Sequence, residues 1–184
     1  MPIFAPAGSG TTGFGTKQRG VTMIELVIVM SIASILALIA VPSLMSTLRD
    51  FRQRSAVSLV LSDLNHARSE AIKRNTRVLM CVRDAAGTGC ATGTNWQAGW
   101  LVCTDADAND ACDASTATSP NPVIVRPALD ATLSLTGSAA AVRFNANSSQ
   151  GVGTTAATLT LGGTWSGATS RAVSVAGTGY ISKQ

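Results

Sequence analysis

Hydrophobic and polar positions fall into three regimes along the 184-residue chain. From Val21 to Val41, 21 residues, only Thr22, Glu25, Ser31 and Ser34 are not hydrophobic. As a helix this stretch measures roughly 31 Å, enough to cross a bilayer core. It is apolar all round, whereas a helix of a soluble protein shows one apolar stripe. The second regime is such a stripe. Val57, Val60, Leu61, Leu64, Ala67, Ala71 and Ile72 recur at three- and four-residue steps, which marks one helix face. Arg49, Arg52, Arg54, Arg68, Lys73 and Arg74 lie largely between them. The pattern predicts one long helix over about residues 21–75, broken or bent near Pro42. From Thr76 onward β-rich runs alternate with turn residues. They predict strands at 77–83, 99–104, 123–126, 132–135, 142–145, 158–161, 172–175 and 179–182. The expected class is α+β: a long N-terminal helix packed, by its second half, on an antiparallel β-sheet or small β-sandwich head.

Lys17-Gln18-Arg19-Gly20 precedes the apolar segment. Positive charge on that side stays cytoplasmic, which places the C-terminal head outside. A cleaved secretory signal fits poorly, because the apolar run is too long and Pro42-Ser43-Leu44-Met45 makes a poor cleavage site. The first 19 residues show no apolar periodicity and read as a removable or disordered leader. Glu25 is the anomaly. A carboxylate within an apolar span costs about 2–3 kcal/mol and calls for a partner. The segment contains no Lys or Arg. A cut after Gly20 would supply one, the new amine of Val21, on the same chain or a neighbour.

Composition narrows the function classes. With 46% hydrophobic and 13% charged residues the chain is not disordered. The net charge of +4 is unevenly spread. Residues 49–77 hold seven basic and three acidic side chains; residues 78–184 hold five and six. The basic helix residues read as a solvated face or one that meets anionic lipid. His66 is the only histidine, and there is no nucleophile elbow, metal-ligand spacing or phosphate loop, so an enzyme is not expected and neither cofactor nor metal is implied. Cys81, Cys90, Cys103 and Cys112 make an even set in a chain with export features, which suggests structural disulfides. Pairing Cys81 with Cys90 and Cys103 with Cys112 is simplest; Cys81 with Cys103 is a live alternative, and spacing does not choose. Asp105-Ala106-Asp107-Ala108-Asn109-Asp110 opens like a calcium loop, yet the sixth and twelfth positions hold Asp110 and Thr116, not Gly and Glu. It reads as a solvated acidic turn.

Arg19-Gly20 followed by Val-Thr-Met-Ile-Glu-Leu resembles the class III signal of type IV pilins and type II secretion pseudopilins, with Val21 where Phe is usual. A plain single-span anchor with a stray glutamate is the bland alternative. The resemblance implies cleavage by a prepilin peptidase between Gly20 and Val21, N-methylation of Val21, a role for Glu25 in registering subunits, and a helix-kinking proline at Pro42. It divides the chain into a leader (1–20), a transmembrane and assembly helix (21–45), and an amphipathic helix with a periplasmic β head (46–184), single-pass in the inner membrane.

A second resemblance lies in Ser69-Glu70-Ala71-Ile72-Lys73-Arg74-Asn75, the strand with Cys81, and Trp96-Gln97-Ala98-Gly99-Trp100. These are similar to the GspH/FimT branch of minor pilins, whose loops also resemble a Cys81–Cys90 bridge. The tryptophans themselves read as core packing beside a tight turn at Gly99. The resemblance implies a type IV pilin fold and a minor pilin that enters or primes a pilus, with other pilins as partners. Two alternatives stand beside it: a minor pseudopilin of type II secretion, and a DNA-binding minor pilin. Transformation-linked relatives carry Gly-Arg-x-Lys or Gly-Arg-x-Arg near the C-terminus. Here Tyr180 stands where Arg belongs and Lys183 is displaced, so a DNA site would need Arg143, Arg171 and Lys183 to converge, with Tyr180 stacking on a base.

Overall fold

The computed structural model describes residues 20–146 and 157–184, so the leader expected over 1–20 lies outside the description up to residue 19. Contacts divide the chain into two units, residues 1–45 and 46–184. Helix α1 runs Met23–Arg74, 52 residues. Of the two outcomes expected at Pro42, a break or a bend, the break does not occur: helix continues through that position. Proline deletes a single N–H from the ladder. An apolar segment offers nothing to satisfy the further groups that a break would free.

At its other end α1 stops by a defined device. Asn75 takes a left-handed conformation, φ +51°. Its N–H donates to the Ile72 carbonyl, and the Thr76 N–H reaches back to Ala71. This 6→1 and 5→2 pair satisfies two last-turn carbonyls, with Asn as the side chain that best tolerates the left-handed site after Gly. Arg74 and Lys73 in the last turn pair with Glu70, at 2.6 and 3.3 Å. The Ser-Glu-Ala-x-x-Arg-Asn run is thus a helix stop.

Eight strands follow: β1 Val78–Val82, β2 Trp100–Thr104, β3 Ile124–Val125, β4 Leu133–Gly137, β5 Ala141–Phe144, β6 Ala157–Gly163, β7 Arg171–Val175 and β8 Ile181–Lys183. They form two antiparallel four-stranded sheets, ordered β3-β2-β1-β5 and β4-β6-β7-β8. Consecutive β4 and β5 belong to different sheets, so residues 138–140 carry the chain across. One core joins the helix stripe (Val57, Val60, Leu64, Ala67, Ala71) to inward residues of both sheets, among them Met80, Trp100, Val102, Phe144, Leu135, Leu159, Leu161 and Val173.

The sheets differ on their other faces. In the first, Leu79, Cys81, Leu101 and Cys103 form a second buried cluster beneath Cys90 and Cys112. All five positions of β1 are therefore buried. In the second, β6 alternates strictly in its first five positions, and its outward Thr158 and Thr160 are only half-buried.

Candidate functional site

The first unit is organised around the start of α1. Thr22 and Glu25 hydrogen-bond reciprocally: the Glu25 N–H donates to Thr22 Oγ1 at 3.3 Å, and the Thr22 N–H donates to Glu25 Oε2 at 3.4 Å. This is a capping box, which satisfies two otherwise orphaned amides. It also sets the carboxylate at the positive end of the helix dipole. The Thr-x-x-Glu spacing carried this signal and sequence reasoning passed over it. The carboxylate lies beside the backbone nitrogen next in line to that of Val21, and the residue is exposed. Beyond the cap, the large apolar side chains from Val21 to Met45 are 51–89% exposed. The most apolar 18-residue window has a mean hydropathy of 2.7 with none of it buried. This part of α1 is long and apolar enough to cross a membrane, and among the described residues its large apolar side chains stay exposed.

The second unit holds the remaining candidate residues. The four cysteines form Cys81–Cys90 and Cys103–Cys112. Register explains why the Cys81–Cys103 alternative fails: Cys81 opposes Leu101 and Cys103 opposes Leu79, so the two are diagonal on one sheet face. Each instead takes a partner from the loop that follows its own strand. The two bridges lie side by side, with Cys90 Sγ 3.8 Å from Cys112 Sγ.

The acidic turn is knitted from within. Asp105 is fully buried and is bonded by the Arg77 guanidinium. It also accepts the backbone N–H groups of Asn109 and Asp110, at 3.0 and 3.2 Å. Asp110 is gripped by Arg143 through Nε and Nη2 at 2.7 and 2.8 Å. That contact, outweighing partial burial, holds the Asp110 carboxyl below its ordinary range and raises Arg143. Carboxylate oxygens of Asp105, Asp107 and Asp113 do lie within 4.8 Å of one another. Of the three, Asp105 carries the arginine and is buried, which departs from a wholly solvated turn; Asp107 and Asp113 accept N–H groups of Asn109 and Ala106.

The residues weighed for DNA do not form one group. Arg143 sits in the first sheet, on β5, engaged with Asp110. Arg171 sits in the second, on β7, and donates to Asp50 of α1 at 2.9 Å. The Arg171 contact, against some burial, lowers the Asp50 carboxyl. Lys183 opposes Val173 on the β7–β8 ladder, and Tyr180, 66% exposed, precedes β8.

The tryptophans are structural, as expected. Trp96 and Trp100 are fully buried, and Trp96 donates to the Ala139 carbonyl at 2.9 Å. Gly99 sits at φ +101°, where a Cβ would meet the Arg126 carbonyl at 2.4 Å.

Sequence reasoning missed two polar residues within the apolar stripe. Gln53 is buried and donates to the carbonyls of Leu161 and Thr169. Asp63, equally buried, accepts Trp100 Nε1 at 2.9 Å and a two-pronged contact from Arg126 at 2.8 Å. The Asp63 contact raises the Arg126 pKa despite partial burial. One residue thus ties α1 to the second sheet and the other ties it to the first. A carboxylate at a stripe position was the available signal, since a buried charge must be paired.

Comparison with known proteins agrees with this description. The sequence model of the GspH family, described as type II transport protein GspH, matches residues 56–179. A prokaryotic N-terminal methylation motif matches residues 15–41. Among solved structures, the type IV minor pilin FimU of Pseudomonas aeruginosa, strain PAO1, is similar in two crystal forms. In one the identity is 20% over 74% of this chain and 90% of that one, with a TM-score of 0.55. In the other it is 17% over 71% and 91%, with a TM-score of 0.51. These establish a shared fold. A comparison with curated protein sequences gives no significant match. The GspH match spans well over half of the chain, and the chain belongs to that family.

Proposed function

We propose that this member of the GspH family is a minor pilin that enters or primes a type IV pilus. A prepilin peptidase cuts between Gly20 and Val21, and Val21 becomes N-methylated. Residues 21–45 then hold the subunit in the inner membrane, with the head in the periplasm, until it joins the filament. The observation that carries this reading is the capped, outward-facing start of α1. An apolar helix whose side chains stay exposed begins with a carboxylate at its first turn, inside a matched methylation motif. In lipid or among packed helices that carboxylate needs a cation. Cleavage creates one four residues away in sequence, and every neighbouring subunit brings another. The likeness to a minor pilin supports the pilus as destination.

A second reading, a minor pseudopilin of type II secretion, is favoured by the description of the matching family. It uses the same parts to push substrates outward. No comparable observation favours a DNA receptor, since Arg143 and Arg171 are each held by a carboxylate. Counting surface pili on cells lacking the gene separates the two readings. Loss of pili, restored by the wild-type gene, is the expected result. Normal pili with a secretion defect would transfer the protein to the second reading.

A further inference from the structure

The first turns of α1 within the head carry exposed Leu48 and Phe51, at 46% and 65%, interleaved with exposed Arg49, Arg52 and Arg54. Arg49 is four residues past Met45, the last residue of the exposed apolar unit. The chain returns to this point from far away in sequence. Trp165, in the β6–β7 connection, lies with its ring 5.9 Å from the Arg49 guanidinium carbon. The ring is seated over Gly163, where a Cβ would stand 2.2 Å from it, and it stays half-buried. Charge here is in excess. Asp50 serves both Arg54, at 2.7 Å, and Arg171, at 2.9 Å. Asp130 meets Arg52 at 3.5 Å. With Arg49 included, four arginines face two carboxylates, a local charge of +2.

We propose that this collar is a lipid-headgroup site, with Trp165 at the acyl–headgroup boundary and the arginines, Arg49 foremost, contacting anionic phospholipid. The proposal rests on the reading that residues 21–45 cross a bilayer. Tryptophan is a residue that either membrane interface selects, and arginine beside it can reach headgroup phosphate from either side. The indole has an apolar body and a polar edge, and guanidinium stems lie along lipid while their heads meet phosphate. Leu48 and Phe51 add exposed apolar side chains among these arginines. Net positive charge gives the surface a preference for anionic over zwitterionic lipid.

The test uses the full chain in vesicles of phosphatidylcholine, with equal fractions of either bromo-acyl phosphatidylglycerol or bromo-acyl phosphatidylcholine. Bromine quenches only tryptophan in contact with lipid. Fully buried Trp96 and Trp100 supply an unquenched reference, and Trp165→Phe supplies the background. The expected result is quenching of Trp165 that is about fivefold stronger with brominated phosphatidylglycerol. The preference should vanish in Arg49→Gln, which leaves emission from the two core tryptophans unchanged. Equal quenching by both lipids would overturn the anionic site. Co-flotation with vesicles but no quenching would overturn the collar alone. In that case, a shift in Trp165 emission on filament assembly would assign this face to a neighbouring subunit. Failure to co-float would overturn the bilayer span and the collar with it.

Discussion

The two halves of α1 use apolar side chains in opposite ways. Residues 23–45 turn theirs outward on every side, and the polar group that stands out among them, Glu25, sits at the very first turn, folded back on Thr22. Residues 46–74 bury one stripe and place Gln53, Asp63 and Glu70 within or beside it, each with a dedicated partner. The first half is specified by what it will meet, lipid or other helices. The second is specified by the head it folds with. On the proposed function, assembly chemistry and folding chemistry are separated along one helix, and substitutions in one half should leave the function of the other intact.

Breaking that separation begins with the largest expected effect. Glu25→Ala should cut incorporation into filaments by at least about tenfold, because the incoming amine loses its counter-charge in a low-dielectric setting. Urea unfolding of the same variant should show the head's stability unchanged. A matching loss of head stability would show that the halves are coupled.

Asp63→Ala tests the converse. It leaves the Arg126 guanidinium and Trp100 Nε1 without their carboxylate, which should cost the head about 2–3 kcal/mol in denaturant unfolding. Cleavage at Gly20–Val21 should proceed as before. Removing one bridge by the double change Cys103→Ser and Cys112→Ser should cost about 2–3 kcal/mol, because each bridge spans nine positions. The loss shows as a lower unfolding midpoint, and the stacked bridges make the other disulfide more accessible to reductant.

The smallest effect is that of pH. Contacts with Arg74 lower Glu70, contacts with Arg143 lower Asp110, and contacts with Arg171 lower Asp50. A carboxyl lowered in the folded state contributes stability that is complete above its unfolded value and lost as pH falls through the folded one. The head should therefore hold its melting temperature down to about pH 5 and lose it steadily below about pH 4. A head in which Asp110 is replaced by Asn should lose less over that interval.

The sequence was legible where one residue pattern has one physical solution. The all-round apolar run, the stripe at helical spacing and eight turn-bounded strands each announced their element. It was less legible where an outcome depends on residues that only folding brings together. Proline at 42 signals a missing donor, but whether a helix breaks depends on what else could take its hydrogen bonds. Two sheets could not be told from one, because the crossover lies in the short link between β4 and β5. Cys81 and Cys103 stand on adjacent strands, and only the register makes them diagonal. Asp63 was visible as a charge on an apolar face, whereas its partners lie 37 and 63 residues away. The contact of Arg49 with Trp165 joins residues with no local relation at all.

The central claim is tested most directly by the intact mass of this protein recovered from filaments sheared off wild-type cells. The account predicts a chain that begins at Val21 with one added methyl group there, and that is four hydrogens lighter than its reduced form for the two disulfides. Recovery of the uncut chain, or absence of the protein from pure filaments while it abounds in membranes, would contradict it.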